Sequence, residues 1–214
     1  MSDGQLVFSA GSSRSGKSLK LMREAAKKPR VLVFDEKDEW ARPFNKKTEK
    51  YDRTKLKRGW KVAKTKAELM ALVKNSGEKW KISYVPEGNL KERFDFWCRM
   101  AYAYGKKKTI LVIAEELADV TTPSKAPDAW GNICRKFLGF GCDIFAISQR
   151  PAESDKTSLG NATIVRTGRL NIVNDQKAMS KQLGVSVEEV ANLKPMEFIE
   201  RNAIGEIKRG KTQK

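Results

Sequence analysis

Eight residues near the start of the chain, Gly11-Ser12-Ser13-Arg14-Ser15-Gly16-Lys17-Ser18, have the types and spacing to hold phosphate. They fit the pattern G-x-x-x-x-G-K-[ST]. Glycines let the backbone curl so that successive N–H groups point inward around phosphate oxygens. A helix starting near Lys17 adds its positive end. Lys17 then reaches the β- and γ-phosphates, and Ser18 offers a hydroxyl to Mg²⁺. An apolar strand before the loop and a helix-forming stretch after it supply the context the pattern needs. The plain alternative is a chance Gly/Ser-rich loop. The predicted ligand is a nucleoside triphosphate with Mg²⁺; Arg14 touches either the nucleotide or only solvent.

Hydrolysis needs more than a phosphate grip. "TILVIAEELADV" puts Glu115 and Glu116 at the end of a strongly apolar run. Mg²⁺ beside a phosphate needs a carboxylate nearby, directly or through water. A second group must orient or deprotonate the attacking water. We assign Glu115 to magnesium and Glu116 to water. The competing reading places both in a helix's first turn, where acids are favoured. "CDIFAISQRP" ends another apolar run with Gln149, which can bond the γ-phosphate or the lytic water, or can lie exposed before Pro151. No N-K-x-D-like base-reading motif of a GTPase is present.

These residues must be positioned by elements, and the elements are legible. Short apolar runs at 5–10, 30–35, 80–86, 109–115, 142–148 and 162–168 alternate with helix-like stretches. That is the α/β pattern of buried parallel strands, a mostly parallel central sheet flanked by helices. Helices are predicted over 18–27, 66–74, 90–104, 129–138, 175–183 and 187–193. Thr65 with Glu68, Asn89, and Ser186 with Glu189 supply caps, and Gly105 a stop. "EFIERNAIGEIKRG" reads as a C-terminal β-hairpin turning at 202–205. Segment 42–64 has many bases and no clear period. It is either a solvated insertion or a surface that touches phosphates.

Bulk composition narrows the partners. The 214 residues suit one well-buried domain, with the basic insertion and a short basic tail, "KRGKTQK", as its appendages. The net charge is +17, from 43 Lys and Arg against 26 Asp and Glu. Such an excess suggests nucleic acid first and an anionic membrane surface second, with plain solubility as the bland reading. The absence of His excludes imidazole chemistry. Cys98, Cys134 and Cys142 lack paired metal spacing and fit reduced thiols, the latter two in the core. No apolar run approaches the ~20 residues of a membrane span. "MSDGQLVF" has no leader-like pattern, so the expectation is a soluble intracellular protein.

Taken in order, the phosphate loop, "EELADV" (115–120) and "SQRP" (148–151) resemble the FtsK–HerA superfamily of DNA-pumping ATPases. "FDEKDEW" (34–40) is similar to that family's second-strand signature, and the last hairpin to its C-terminal strands. One departure is Glu115, where the family usually has Asp. The likeness is greatest to genome-packaging ATPases of tailless, membrane-containing icosahedral viruses. The resemblance implies a RecA-like P-loop (ASCE) domain that hydrolyses ATP, forms a ring, and pushes double-stranded DNA into a preformed shell. It also implies capsid or portal-vertex partners and a place in the host cytoplasm and at the procapsid or virion vertex. An Arg given by a neighbouring subunit would complete each site; Arg166 and Arg169 are the candidates and Arg150 a weaker one, against the reading that each is a surface Arg. DNA would be gripped by its backbone, with Lys46, Lys47, Lys55, Lys57, Arg58 and Lys125 as candidate contacts. Three readings compete with the packaging motor: a small-molecule or nucleotide kinase, a filamentous-phage-type assembly ATPase of the same superfamily, and a basic DNA-binding protein with a vestigial loop.

Overall fold

Alternation with apolar residues on both sides of each strand decides the architecture. In β1 (Leu6–Ala10), Leu6 and Phe8 enter one cluster and Val7 enters another. The strands β2 (Arg30–Phe34), β7 (Leu111–Ala114) and β8 (Asp143–Ser148) divide in the same way. A strand that is apolar on both faces must be covered on both, which calls for helices on either side of a parallel sheet. The computed structural model, which describes residues 4–213, has this form. Its nine-stranded sheet runs β11-β10-β9-β1-β8-β7-β2-β6-β5. Every pairing from β9 (Ile164–Thr167) across to β6 (Trp80–Tyr84) and β5 (Trp60–Ala63) is parallel. The hairpin β10 (Glu197–Arg201) and β11 (Ile207–Lys211) adds on antiparallel beside β9.

Helix α1 (Lys17–Lys27) covers the smaller cluster with Leu21 and Ala25, joined there by Trp40. The larger cluster lies under α2 (Lys66–Lys74), α3 (Leu90–Gly105), α5 (Asp128–Lys136) and α7 (Val173–Leu183). Its centre is aromatic: Phe34 sits edge-on to Phe94 at 5.1 Å and to Trp97 at 5.8 Å, and Phe94 lies 5.5 Å from Trp130. The three cysteines are free and buried. Caps fall where the sequence puts them. Thr65 and Glu68 close a reciprocal capping box, while Asn89 and Ser186 accept from the N–H groups of Glu92 and Glu189. Gly105 is needed for space, since a Cβ there would lie 2.6 Å from the Phe137 ring. The hairpin turns where predicted, with Asn202 accepting from Ile204 and Glu206 N–H and Gly205 at φ 88°.

Several elements depart from the sequence reading. Segment 42–64 is not all insertion, because its end is the edge strand β5, parallel to β6. Before it, β3 (Phe44–Asn45) and β4 (Lys50–Tyr51) form a two-residue ladder of their own. Nor is the basic end a free tail: 208–211 belong to β11 and Thr212 is buried, while Lys214 lies outside the described residues. Residues 1–3, part of the stretch read for a leader, also lie outside them. Short helices α4 (Leu117–Val120), α6 (Lys156–Gly160) and α8 (Val187–Ala191) complete the set; α4 and α6 have no counterpart in the sequence reading. Among the described residues no helix is long and apolar enough to cross a membrane.

The aromatic centre generates a direct test. Phe94→Ala removes the ring that bridges Phe34, Trp97 and Trp130, and should lower stability by about 3–5 kcal/mol. A urea melt should show a lower midpoint with an unchanged slope.

Candidate functional site

Parallel strands end at the same edge, and in open α/β sheets ligands sit outside those carboxyl ends. The ends of β1, β2, β7 and β8 carry, in turn, the phosphate loop, residues 35–41, Glu115–Glu116 and Gln149. The loop leaves β1 through Gly11 at φ 153°, where a Cβ would lie 2.3 Å from Ser15 Oγ. It enters α1 through Gly16 at φ 87°, a left-handed conformation that glycine adopts freely. Ser12 N–H donates to the Arg169 carbonyl at 2.8 Å and Gly11 N–H to the Ser148 carbonyl at 3.3 Å, so the strands on both sides of β1 brace the loop. The hydroxyls of Ser12 and Ser15 are buried with no hydrogen-bond partner. Orphaned buried donors at a helix N-terminus fit phosphate oxygens. Arg14 instead reaches away, pairing with Glu49 at 3.8 Å on a largely exposed surface.

Glu116 is where the site converges. Its backbone takes φ 51°, a left-handed turn uncommon for a side-chain-bearing residue, and this turns the end of β7 into α4. The carboxylate is 5% exposed and receives Lys37 Nζ at 2.7 Å, Gln149 Nε2 at 2.8 Å and Gln149 N–H at 3.3 Å. Lys17 Nζ stands 3.8 Å away. Burial pushes the Glu116 pKa up, but Lys17, Lys37 and Gln149 outweigh it and hold the group below the usual carboxylate range. Burial lowers the pKa of Lys17, against the pull of Glu116 and Glu115. Burial also works to lower Lys37, and there the bond to Glu116 prevails, raising it.

Glu115, one residue earlier, faces another environment. Burial first, then the nearby Asp35, push it up to about 7. Ser18 Oγ donates to one of its oxygens at 3.0 Å and the Trp40 indole N–H to the other at 2.9 Å. A hydroxyl and a carboxylate side by side are hard oxygen donors, the set that suits Mg²⁺ beside a phosphate. Neighbouring carboxyl groups with separated proton affinities can divide two tasks. Both follow the end of β7, and Glu116 is the N-cap residue from which α4 starts, so neither lies inside the helix's first turn.

Two residues here carried no chemical role in the sequence reading, Lys37 and Trp40. Both lie on the loop after β2, held by the buried Asp35, whose carboxylate accepts from Ser83 Oγ and from the N–H groups of Glu39 and Trp40. Burial raises the Asp35 pKa despite these donors. The available signal was an Asp at the end of a buried strand, with a Lys two residues on and a Trp five residues on.

Arg166 requires a correction. It is 2% exposed and bonds Glu200 at 3.0 Å and Thr212 at 2.8 Å, with its guanidinium 3.5 Å from the centre of the Phe198 ring. A side chain so enclosed by its own C-terminal hairpin cannot be given to a neighbour. Arg169 is half-buried beside the phosphate loop, with an unpartnered Nε. Arg150 bonds the buried Asp175 on α7 at 2.9 Å. Lys46, Lys47, Lys55, Arg58 and Lys125 are exposed. Lys57 is not free for a partner, because its Nζ donates to the Trp40 carbonyl at 2.9 Å.

No known family profile matches the chain. The genome packaging NTPase B204 from Sulfolobus turreted icosahedral virus 2, solved in complex with AMPPCP, has a similar fold. It superposes with a TM-score of 0.73 over 97% of each chain, at 15% identity. The chain shares the fold of that NTPase, a mostly parallel central sheet flanked by helices. A similar fold also appears in VirB4 of Thermoanaerobacter pseudethanolicus, with a TM-score of 0.64 and 11% identity over 97% of this chain and 89% of that one. In sequence, the chain is 32% identical over 104 residues to Protein P9 of Pseudoalteromonas phage PM2. That match spans 48% of this chain and 48% of the relative, about half the length of each.

If Arg166 is a buried strut, its loss must be felt by the isolated chain. Arg166→Met should lower stability by about 3 kcal/mol or more by leaving Glu200 with one partner fewer. Chemical denaturation of dilute protein, where no assembly forms, measures it.

Proposed function

We propose that this chain hydrolyses ATP and uses the turnover to drive double-stranded DNA into a preformed viral shell. The observation that carries the reading is Glu116, an anionic carboxylate fixed beside Lys17 by Lys37 and Gln149 at the mouth of the phosphate loop. The orphaned hydroxyls of Ser12 and Ser15 hold the phosphates, together with loop N–H groups other than those of Gly11, Ser12 and Ser15, which bond carbonyls of the chain itself. Lys17 neutralises the β- and γ-phosphates. Ser18 and Glu115 would hold Mg²⁺, which would offset the charge that gathers on the phosphate oxygens. Glu116, ionised at neutral pH, accepts a proton from water or aligns it for in-line attack. Gln149 bonds both Glu116 and the transferred phosphate, and so reports hydrolysis to β8.

Partners follow from charge and from the related structures. With +17 and a motif order shared with DNA-pumping ATPases, the backbone of double-stranded DNA is the partner its surface suits. Lys46, Lys47, Lys55, Arg58 and Lys125 supply exposed cations for it. The likeness to B204, a genome packaging NTPase, supports the same assignment, with procapsid and vertex proteins as docking partners in the host cytoplasm. Head-to-tail association that closes into a ring would bring Arg169 of one copy to its neighbour's nucleotide. A kinase reading lacks support from geometry. A 410 Å³ cavity lined by Lys28, Arg30, Leu111 and Asp143 opens at the amino-terminal ends of β2, β7 and β8, the sheet edge opposite the phosphate loop.

Glu116→Gln keeps the hydrogen-bonding shape but removes the charge. ATP binding should persist while turnover falls by about 10²–10⁴-fold. Single-turnover hydrolysis measured beside nucleotide binding separates the two, and full activity would remove Glu116 from the chemistry. DNA affinity should drop steeply with salt, with log K against log salt sloping at about −0.9 per phosphate neutralised. Titrations of duplex DNA at several salt concentrations measure that slope, and a flat response would overturn backbone recognition.

A further inference from the structure

Segment 43–58 is seated on the nucleotide site at every turn. Glu49 pairs with Arg14 of the phosphate loop, and the Tyr51 hydroxyl lies 3.9 Å from Met22 Sδ on α1. Arg53 Nη2 donates to the Lys37 carbonyl at 3.1 Å. Lys57 donates to the Trp40 carbonyl through Nζ at 2.9 Å and to the Ala41 carbonyl through its N–H at 2.8 Å. The loop those bonds grip is the loop whose side chains hold the two glutamates, Lys37 on Glu116 and Trp40 on Glu115. Segment 43–58 also carries seven basic residues against two acidic ones. Charge that attracts a polyanion and struts that reach the loop bearing Lys37 and Trp40 therefore occupy one short piece of chain.

We propose that segment 43–58 is the surface that senses the duplex backbone, and that Arg53 transmits its occupancy through Lys37 to Glu116. The inference rests on the reading that duplex DNA is the partner. In the present arrangement one Glu116 oxygen is engaged by both Lys37 and Gln149, which leaves it poorly placed to accept water. Phosphates drawn to the exposed Lys46, Lys47 and Arg58 pull the segment outward, and the Arg53 bond carries Lys37 away from Glu116 with it. That oxygen then keeps Gln149 alone and has a lone pair open to accept a hydrogen bond from the attacking water. Arg53 acts through Lys37 and is a positioning residue. Its own side chain is exposed, so a substitution there leaves the core untouched.

The test compares the full chain with Arg53→Gln, each given ATP and Mg²⁺ with and without a saturating mixed-sequence DNA duplex. DNA affinity and melting temperature are measured alongside. The expected result is stimulation of the unaltered chain by duplex, and loss of that stimulation in Arg53→Gln. DNA affinity, basal turnover and melting temperature should be retained, and kcat rather than KM for ATP should register the loss. Stimulation equal to that of the unaltered chain would overturn the relay. So would a loss of stimulation that merely follows a loss of DNA affinity, which would make Arg53 a phosphate contact. An unaltered chain that binds duplex without a change in turnover also overturns the relay but leaves the DNA partner standing. An unaltered chain that does not bind duplex at all removes the partner as well.

Discussion

A carboxylate withdrawn from water stays ionised only if donors converge on it, and the arrangement around Glu116 follows from meeting that demand. Lys17 comes from the start of α1, Lys37 from the loop after β2, and Gln149 from the end of β8. Those positions adjoin only because β1, β8, β7 and β2 run parallel in that order and end at one edge. Distortion at Glu116 itself, with its left-handed backbone, is held in place by the bonds its side chain makes. Glu115 meets the opposite condition. Burial first, then the neighbouring Asp35, push it up to about 7, and Ser18 and Trp40 each donate to one of its oxygens.

The C-terminal hairpin is part of this arrangement rather than an appendage. A Cβ on Gly16 would lie 3.0 Å from Met196 Sδ, so the residues leading into β10 press on the back of the phosphate loop. Glu200 on β10 receives both Arg166 from the neighbouring strand and Lys20 from α1, the latter at 2.7 Å. The loop is thus braced from strand, helix and hairpin at once. A polar group this enclosed is costly unless every partner is present, which explains why Arg166 is packed on an aromatic face as well as paired.

Much of this was legible in the residues because it depends on local rules. Strong two-sided apolar runs gave β1, β2, β7 and β8, weaker apolar runs gave β6 and β9, and the Thr65 and Ser186 caps marked their helices. The phosphate loop and Glu116 declared themselves by type and spacing. Strand β5 was hidden because its four residues alternate Trp and Val with Lys and Ala inside a basic stretch, where sheet pairing, not pattern, decides the conformation. Lys37, Trp40 and the burial of Arg166 were illegible for a related reason. Each depends on a partner far along the chain, such as Glu116, Glu115 or Glu200, and no window of sequence shows which strand ends will meet.

Both outer margins of the sheet, β5 and β11, are lined with charge: Lys61 on one, Lys208, Arg209 and Lys211 on the other. An open sheet with bare margins invites a second sheet to pair with it and grow without limit. Cations along both margins repel their counterparts on another copy. The basicity that suits a polyanion thereby has a second effect, keeping a crowded population of these molecules from aggregating strand to strand.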